Sequence, residues 1–140
     1  MHGNYTLNEN LEKIEYFKSY KFKSYKGGDN EDVPLYPKAI EDLLFIINRC
    51  NEDNIPQPFI APWAGGDCVQ AEWDYNWYLE IDMSSKGIDV LIIKNNLYDK
   101  PISCKFLDIE DALILIKHFI QNVVDLNGER KKTNDSRKCD

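Results

Sequence analysis

Apolar and polar residues alternate strictly between positions 69 and 83, on both sides of a short polar connection at 74–76. The apolar members are Val69, Ala71, Trp73, Trp77, Leu79, Ile81 and Met83. A period of two across two short segments predicts an antiparallel hairpin with one apolar face and one polar face. If residues 74–76 form the loop, the predicted cross-strand pairs are Trp73 with Trp77, Ala71 with Leu79 and Val69 with Ile81.

Helix signals flank this hairpin on both sides. Thr6 and Glu9 form a capping-box pattern, which marks the start of a first helix. Pro37 precedes apolar residues at helical spacing, and Asp108 is a favoured N-cap residue before another such stripe. The predicted helices cover residues 7–18, 37–51 and about 109–125.

Short apolar runs separated by Gly, Pro, Asn and Asp fill the chain between the second and third helices. They predict five strands, over residues 59–61, 68–73, 77–83, 87–93 and 102–106. Residues 27–34, which read G-G-D-N-E-D-V-P, have the composition of a turn and loop.

The order of these elements predicts an α+β fold. Two N-terminal helices precede a five-strand antiparallel β-meander, and a C-terminal helix packs on one face of the sheet. A chain of 140 residues is long enough to bury a hydrophobic core of its own. We therefore expect a single domain over residues 1–128 and a charged, disordered tail over 129–140.

The net charge of −7 is unevenly distributed along the chain. Residues 1–26 hold five lysines and three glutamates, and residues 129–140 hold five basic and three acidic side chains. Each end therefore carries +2, which leaves −11 on residues 27–128. An acidic body disfavours nucleic-acid backbones and favours a basic protein partner, although solubility alone also explains it.

The four cysteines, at positions 50, 68, 104 and 139, lack C-x-x-C spacing, and the chain has only two histidines. A disulfide framework or a zinc site is therefore not expected, and Cys50, Cys68 and Cys104 are interpreted as reduced thiols. No apolar run reaches the length of a membrane helix, and no secretion signal is evident. These features predict a cytoplasmic protein with no membrane partner, metal or cofactor.

The polar face of the hairpin carries a group of carboxylates beside a tyrosine. We predict a partner-binding set that includes two further aromatic residues; its members are Glu72, Tyr78, Glu80, Asp82, Trp63 and Tyr75. Alternation in a sheet would also place solvated polar residues at these positions. Paired carboxylates further allow acid–base catalysis or binding of a hard metal ion.

A tandem repeat, F-K-S-Y-K-F-K-S-Y-K, begins at position 17. Basic residues interleaved with aromatic ones can bind a single nucleic-acid strand through phosphate contacts and base stacking. The candidate residues are Lys18, Tyr20, Lys21, Lys23, Tyr25 and Lys26. The alternative interpretation is that this segment is the end of the first helix, with its aromatic rings packed on the core and its lysines solvated.

Several stretches between residues 25 and 93 follow a shared pattern. They are Tyr25-Lys-Gly-Gly, Pro37-Lys-Ala-Ile-Glu-Asp-Leu-Leu, Phe59-Ile-Ala-Pro, Gly66-Asp-Cys-Val-Gln-Ala-Glu-Trp and Tyr78-Leu-Glu-Ile-Asp. This half of the chain resembles a group of small uncharacterised prokaryotic proteins with W-D-G-x-G and d-G-g-V-q-L-E-W patterns. Members of that group are found near mobile-element and toxin–antitoxin-like genes. The resemblance implies a protein that acts by binding another protein.

Three functions follow as hypotheses. The leading one is a non-enzymatic protein-binding module, of an antitoxin-like, immunity-like or phage-type inhibitor kind, with an acidic surface for a basic protein. The second is a nucleic-acid-binding accessory protein that uses segment 17–26. The third is an enzyme that uses the carboxylates of the sheet face.

Overall fold

A computed structural model describes residues 5–19, 21–24, 31–62, 68–94 and 100–126, with the backbone alone described for 21–24 and 31–34. It contains three helices: α1 (Leu7–Ser19), α2 (Pro37–Glu52) and α3 (Ile109–Asn122). Its strands are β1 (Lys21–Ser24), β2 (Glu31–Pro34), β3 (Phe59–Pro62), β4 (Val69–Asp74), β5 (Trp77–Ser84), β6 (Gly87–Lys94) and β7 (Ile102–Phe106). The α+β class, the three helices and the five strands of the meander are confirmed.

The larger sheet is an antiparallel meander in the order β3-β4-β5-β6-β7. The strand predicted over 59–61 lies at one edge, and β7 lies at the other. The turn between β5 and β6 brings Ser84 opposite Gly87, whose φ of 121° is a conformation that favours glycine. Each strand therefore pairs with its neighbour in sequence, as short connections favour.

The hydrophobic core contains the apolar side chains of the central strands. Val69, Ala71, Leu79, Ile81 and Met83 are all fully buried. Helix α2 contacts β4 and β5, α3 contacts β6 and β7, and α1 contacts α2 and β3. The alternation in the sequence thus matches the alternation of burial in the sheet.

Two tryptophans of the hairpin occupy different environments. The Trp73 side chain is 2 % exposed, and its Nε1 donates a 2.8 Å hydrogen bond to the Pro56 carbonyl oxygen. Trp77 is half-buried, with its ring centroid 5.3 Å from that of Phe119 on α3. The core therefore holds Trp73 completely, while Trp77 lies at the border between β5 and α3.

The predicted hairpin register is wrong by two residues. Trp73 pairs with Leu79 rather than with Trp77, because the turn is centred on Asn76 and the Tyr75 amide donates to the Trp77 carbonyl. Asn76 Oδ1 also accepts a 3.0 Å hydrogen bond from the Asp125 amide, a contact between positions 49 residues apart. A shift of two keeps every side chain on its predicted face.

The first part of the chain contains a hairpin that the sequence did not predict. Strands β1 and β2 pair antiparallel, with Phe22 opposite Val33 and Lys23 opposite Asp32. The predicted loop over 27–34 is therefore wrong for residues 31–34. Strand pairing satisfies the backbone groups of both segments, which local turn composition does not reveal.

The last helix is shorter than predicted. It ends at Asn122 instead of about 125, because the amides of Val123 and Val124 both donate to the Phe119 carbonyl. Such converging bonds are typical of a helix C-terminus. As a result Val124 is buried and Val123 is exposed. The predicted tail over 129–140 lies outside the described residues.

The helices are joined to one another by polar contacts as well. Lys117 Nζ of α3 lies 2.7 Å from Asp53 Oδ2, just beyond the end of α2. Cys50 on α2 is a buried free thiol whose pKa is raised to about 12 by burial, and Cys104 is a free thiol too. Within the described ranges, the helices are all too short or too polar to traverse a bilayer.

Candidate functional site

One face of strands β4, β5 and β6 is lined by polar and acidic side chains. Strand alternation places them together, and we call this set the acidic face; it consists of Gln70, Glu72, Tyr78, Glu80, Asp82 and Asp89. Three of its pairs are directly cross-strand: Glu72 with Glu80, Gln70 with Asp82, and Asp82 with Asp89. Like charges directly opposite one another destabilise a sheet, so stability alone does not account for this arrangement.

Tyr78 connects two of the carboxylates. Its hydroxyl lies 2.6 Å from Glu72 Oε2 and also contacts Glu80 Oε1. Burial raises the pKa of Tyr78 well above its usual range, and the two carboxylates raise it further. A neutral phenol has a single proton, so it donates to one carboxylate at a time. The two carboxylates therefore compete for the phenol proton.

Asp82 is the carboxyl group whose acidity changes most. Burial, a hydrogen bond with Glu80 and the nearby charges of Glu80, Asp89 and Glu72 raise its pKa to about 8. Two carboxyl groups form a hydrogen bond only when a proton lies between them. With its pKa raised to about 8, Asp82 holds a proton at neutral pH, and a bound cation would compete with that proton.

Within the described part of the chain, two acceptor atoms of the acidic face have no hydrogen-bond partner. They are Gln70 Oε1 and Asp82 Oδ1, which belong to residues directly opposite each other on β4 and β5. The Gln70 side chain is only 9 % exposed, and its Nε2 lies 3.5 Å from Glu72 Oε2, so the amide is directed into the cluster. Leaving a buried acceptor unsatisfied costs about 1–3 kcal/mol. A donor placed between Gln70 and Asp82 would satisfy both.

Two lysines lie at the borders of the acidic face. Lys105 on β7 forms a 2.8 Å ion pair with Asp89. Lys13 on α1 lies 4.3 Å from the centroid of the Phe59 ring, and Phe59 is the β3 partner of Glu72. Among the residues that the structure describes, Glu72, Glu80 and Asp82 form no ion pair. Positive charge is thus present at the rim and missing from the centre of this part of the sheet.

The structure places Tyr75 and Tyr78, two of the predicted aromatic residues, in different surroundings. Tyr75 lies at the turn between β4 and β5 and packs partly buried against the hydrophobic core, where burial raises its pKa. Tyr78 lies on the acidic face. Trp63 is outside the described residues. The described part of the predicted set that comes together is therefore Glu72, Tyr78, Glu80 and Asp82.

The residues of the nucleic-acid hypothesis are only partly described. Lys18 is exposed in the last turn of α1 and forms a 2.8 Å ion pair with Glu15. Lys21 and Lys23 lie on β1, where Lys23 is opposite Asp32 of β2. The other three candidates, Tyr20, Tyr25 and Lys26, lie outside the described residues. An acidic strand beside β1 weakens phosphate binding there.

Sequence reasoning left two members of the acidic face out of the candidate site. Asp89 belongs to the alternating segment G-I-D-V of β6, and correct pairing of β5 with β6 would have placed it opposite Asp82. Gln70 was on the predicted polar face, but nothing in the sequence reveals that its carbonyl is buried and unpaired. Depth of burial depends on tertiary packing.

The arrangement of the acidic side chains bears on metal binding. No group of three His, Cys, Asp or Glu residues in the described part of the chain is arranged to hold a metal ion. Oxygen-rich sites for hard cations need six or more ligands around one centre. The acidic face is instead spread along three strands, which suits organic cations better than a single ion.

Comparisons with protein-family models, with curated proteins and with solved structures give no match. The resemblance of residues 25–93 to small prokaryotic proteins therefore stays a prediction. The function has to be argued from the geometry and charge of the acidic face.

Proposed function

We propose that this protein is a non-enzymatic binding module whose acidic face docks a basic protein partner. The observation that carries the proposal is the direct cross-strand pairing of Glu72 with Glu80 and of Asp82 with Asp89. The first pair weakens the isolated sheet at neutral pH and the second does so once Asp82 ionises, and a positively charged partner would relieve the repulsion. The protein would then act as an antitoxin-like, immunity-like or phage-type inhibitor in the cytoplasm.

The packing of the helices supports this proposal. In our proposal α2 and α3 cover the apolar side of the sheet, since α2 contacts β4 and β5 while α3 contacts β6 and β7. The opposite side, with Glu72 and Glu80 half-buried, would stay open to a partner. Because a central sheet is rigid, the carboxylates would be held in place before binding.

The overall charge gives a second line of support. Residues 27–128 carry a net charge of −11. Each end of the chain carries +2, which brings the total to −7. Such a field accelerates encounters with a basic protein and suppresses encounters with acidic ones. Selectivity by charge is what an inhibitor of a basic toxin or nuclease requires.

Affinity capture from the native host tests the proposal. Tagged full-length protein would be compared with a Glu72→Gln/Glu80→Gln variant at low and at physiological salt. We expect a stoichiometric basic protein on the wild type and a strong loss of that protein on the variant. The matched control is Glu41→Gln/Glu110→Gln, which removes two exposed helix carboxylates and the same charge.

Two results would contradict the proposal. One is the recovery of no stoichiometric partner at either salt concentration. The other is a partner captured equally by the wild type, the acidic-face variant and the control, since binding would then not involve Glu72 or Glu80.

A further inference from the structure

We infer that the acidic face binds an arginine side chain of the partner, with the guanidinium group between Gln70 and Asp82. This inference rests on the proposed function and names the chemistry that the face recognises. Its basis is the pair of unpartnered acceptors, Gln70 Oε1 and Asp82 Oδ1, on directly opposed residues of β4 and β5. Both atoms are buried in the unbound protein, so the two side chains must turn toward the open side of the sheet to accept from a bound guanidinium.

The geometry of a sheet suits a guanidinium group. Directly opposed residues have Cβ atoms about 4.5–5.5 Å apart, so their terminal oxygens lie within reach of one planar group. A guanidinium presents five N–H donors in a fixed fork and can donate to both oxygens at once. It would satisfy the neutral carbonyl of Gln70 and neutralise the charge of Asp82 in one contact.

An arginine fits this site better than a lysine does. The guanidinium is more weakly hydrated than an ammonium group, so it loses less on entering a site where Gln70 is 9 % exposed. Apolar neighbours are available for its methylene stem, since the strand register places Ala61 beside Gln70 and Leu91 beside Glu80. The chain's own Lys105 pairs with Asp89 at the rim and leaves the Gln70–Asp82 pair free.

Binding at this site is coupled to a proton. The arginine displaces the proton that Asp82 holds, so affinity increases as the pH rises. Because the pKa of Asp82 is about 8, the apparent affinity should increase about tenfold between pH 7 and pH 9. The charged and titratable groups that face Asp82 or border its face are Glu72 on β4, Tyr78 and Glu80 on β5, Asp89 on β6, Lys105 on β7 and Lys13 on α1.

A titration with model compounds tests the inference on the full-length protein. The probes are N-acetyl-arginine methylamide, its lysine counterpart and its citrulline counterpart, which has nearly the shape of arginine without the charge. Binding is followed by the ¹³C shifts of the Leu91 methyl groups and of the Asp82 carboxyl carbon. We expect saturable shifts with arginine, affinity about tenfold lower with lysine, and no saturable shift with citrulline.

Variants locate the site. Gln70→Met keeps the length of the side chain and removes the unpartnered carbonyl, so it should lose the preference for arginine over lysine while remaining folded. Asp82→Asn should remove both arginine binding and its pH dependence. Glu41→Gln, on the exposed surface of α2, is the matched control and should bind arginine as the wild type does.

Several outcomes would overturn the inference: equal binding of arginine and citrulline, a preference for lysine, a pH-independent affinity, or an unchanged preference in Gln70→Met. The proposed function is judged separately. If a captured basic protein binds Gln70→Met as tightly as the wild type, the guanidinium assignment is wrong and the binding function stands. If no partner is captured at all, the proposed function itself is wrong.

Discussion

Trp73 combines a fully buried ring with a buried hydrogen bond. The ring lies among the apolar side chains of the sheet, while Nε1 reaches the Pro56 carbonyl at 2.8 Å. Buried indole groups usually find such a partner, because an unpaired N–H in the core is costly. This bond also holds the segment between α2 and β3 against β4.

We expect Trp73→Phe to lower the free energy of unfolding by about 1–3 kcal/mol, since the Pro56 carbonyl would lose its donor and a gap would remain. Urea denaturation followed by circular dichroism measures this loss. Trp77→Phe is the control, and its half-buried position predicts a smaller effect. Equal losses in both variants would show that the hydrogen bond to Pro56 contributes nothing.

Asp82 should make the stability of the protein depend on pH. Its pKa is about 8 in the folded protein against 3.8 for an ordinary aspartate, so between these values the folded state holds a proton that the unfolded chain lacks. The free energy of unfolding must then fall as the pH rises from about 4 through about 8, and this contribution must level off above that.

Urea titrations at a series of pH values measure this slope. In Asp82→Asn the group no longer titrates, so stability should change less with pH over the same window. Glu41→Gln, which removes an exposed carboxylate of α2, should keep the wild-type slope. If the free energy of unfolding changes with pH equally in Asp82→Asn and in the wild type, Asp82 ionises normally in the folded protein.

At the residue level, the sequence predicted which side chains share a face but not how each is paired. Period-two alternation was enough to bring Glu72, Tyr78, Glu80 and Asp82 together. The contact of one tyrosine hydroxyl with two carboxylates depends on side-chain rotamers and burial. Those properties arise from packing that no local pattern encodes.

The N-termini of α1 and α3 show that capping residues in the sequence predict where a helix begins. The capping box is confirmed, because the Thr6 amide donates to Glu9 Oε1 at 3.0 Å and the Glu9 amide donates to Thr6 Oγ1 at 3.1 Å. Asp108 likewise accepts a 3.1 Å hydrogen bond from the Glu110 amide at the start of α3. These interactions involve neighbours in sequence, so the sequence alone predicts them well.

Removal of the Asp108 cap should destabilise the protein by about 1 kcal/mol in the variant Asp108→Ala. Asp108→Asn should retain most of the stability, since asparagine caps helices about as well. Thermal unfolding of both variants beside Asp111→Ala, a change inside the first turn of α3, measures the difference. If the Asp108→Ala variant is as stable as the Asp108→Asn variant, the side-chain cap does not stabilise α3.

Contacts between distant elements account for the errors in the predicted structure. The hairpin turn is centred on Asn76, whose side chain accepts a bond from Asp125, and the predicted register lacked that information. The β1–β2 hairpin was missed although K-F-K-S alternates in polarity, because the repeat was interpreted as the end of α1. Alternation followed by Gly27-Gly28 is a signal that could have identified it.

For the whole molecule, the concentration of negative charge on residues 27–128 should make stability depend on salt. Raising NaCl from about 0.01 M to about 0.1 M shortens the screening length from about 30 Å to about 10 Å, which weakens repulsion between carboxylates. We therefore expect the free energy of unfolding at pH 9 to increase with salt over this range.

Urea denaturation at fixed pH and varied NaCl tests the prediction. The Glu72→Gln/Glu80→Gln variant should be more stable at low salt and less sensitive to it than Glu41→Gln/Glu110→Gln, because only the first removes a directly opposed pair. A wild type that loses stability on addition of salt would indicate that attractive ion pairs dominate instead.

The hydrogen bond from the Asp125 amide to Asn76 joins the segment after α3 to the turn between β4 and β5. This hydrogen bond closes a loop of chain that contains β5, β6, β7 and α3. The loop includes most of the C-terminal half of the sequence. The Asp125 amide hydrogen exchanges with solvent when this hydrogen bond breaks. The exchange rate of this one backbone proton therefore measures how often the contact between the segment after α3 and the β4–β5 turn opens.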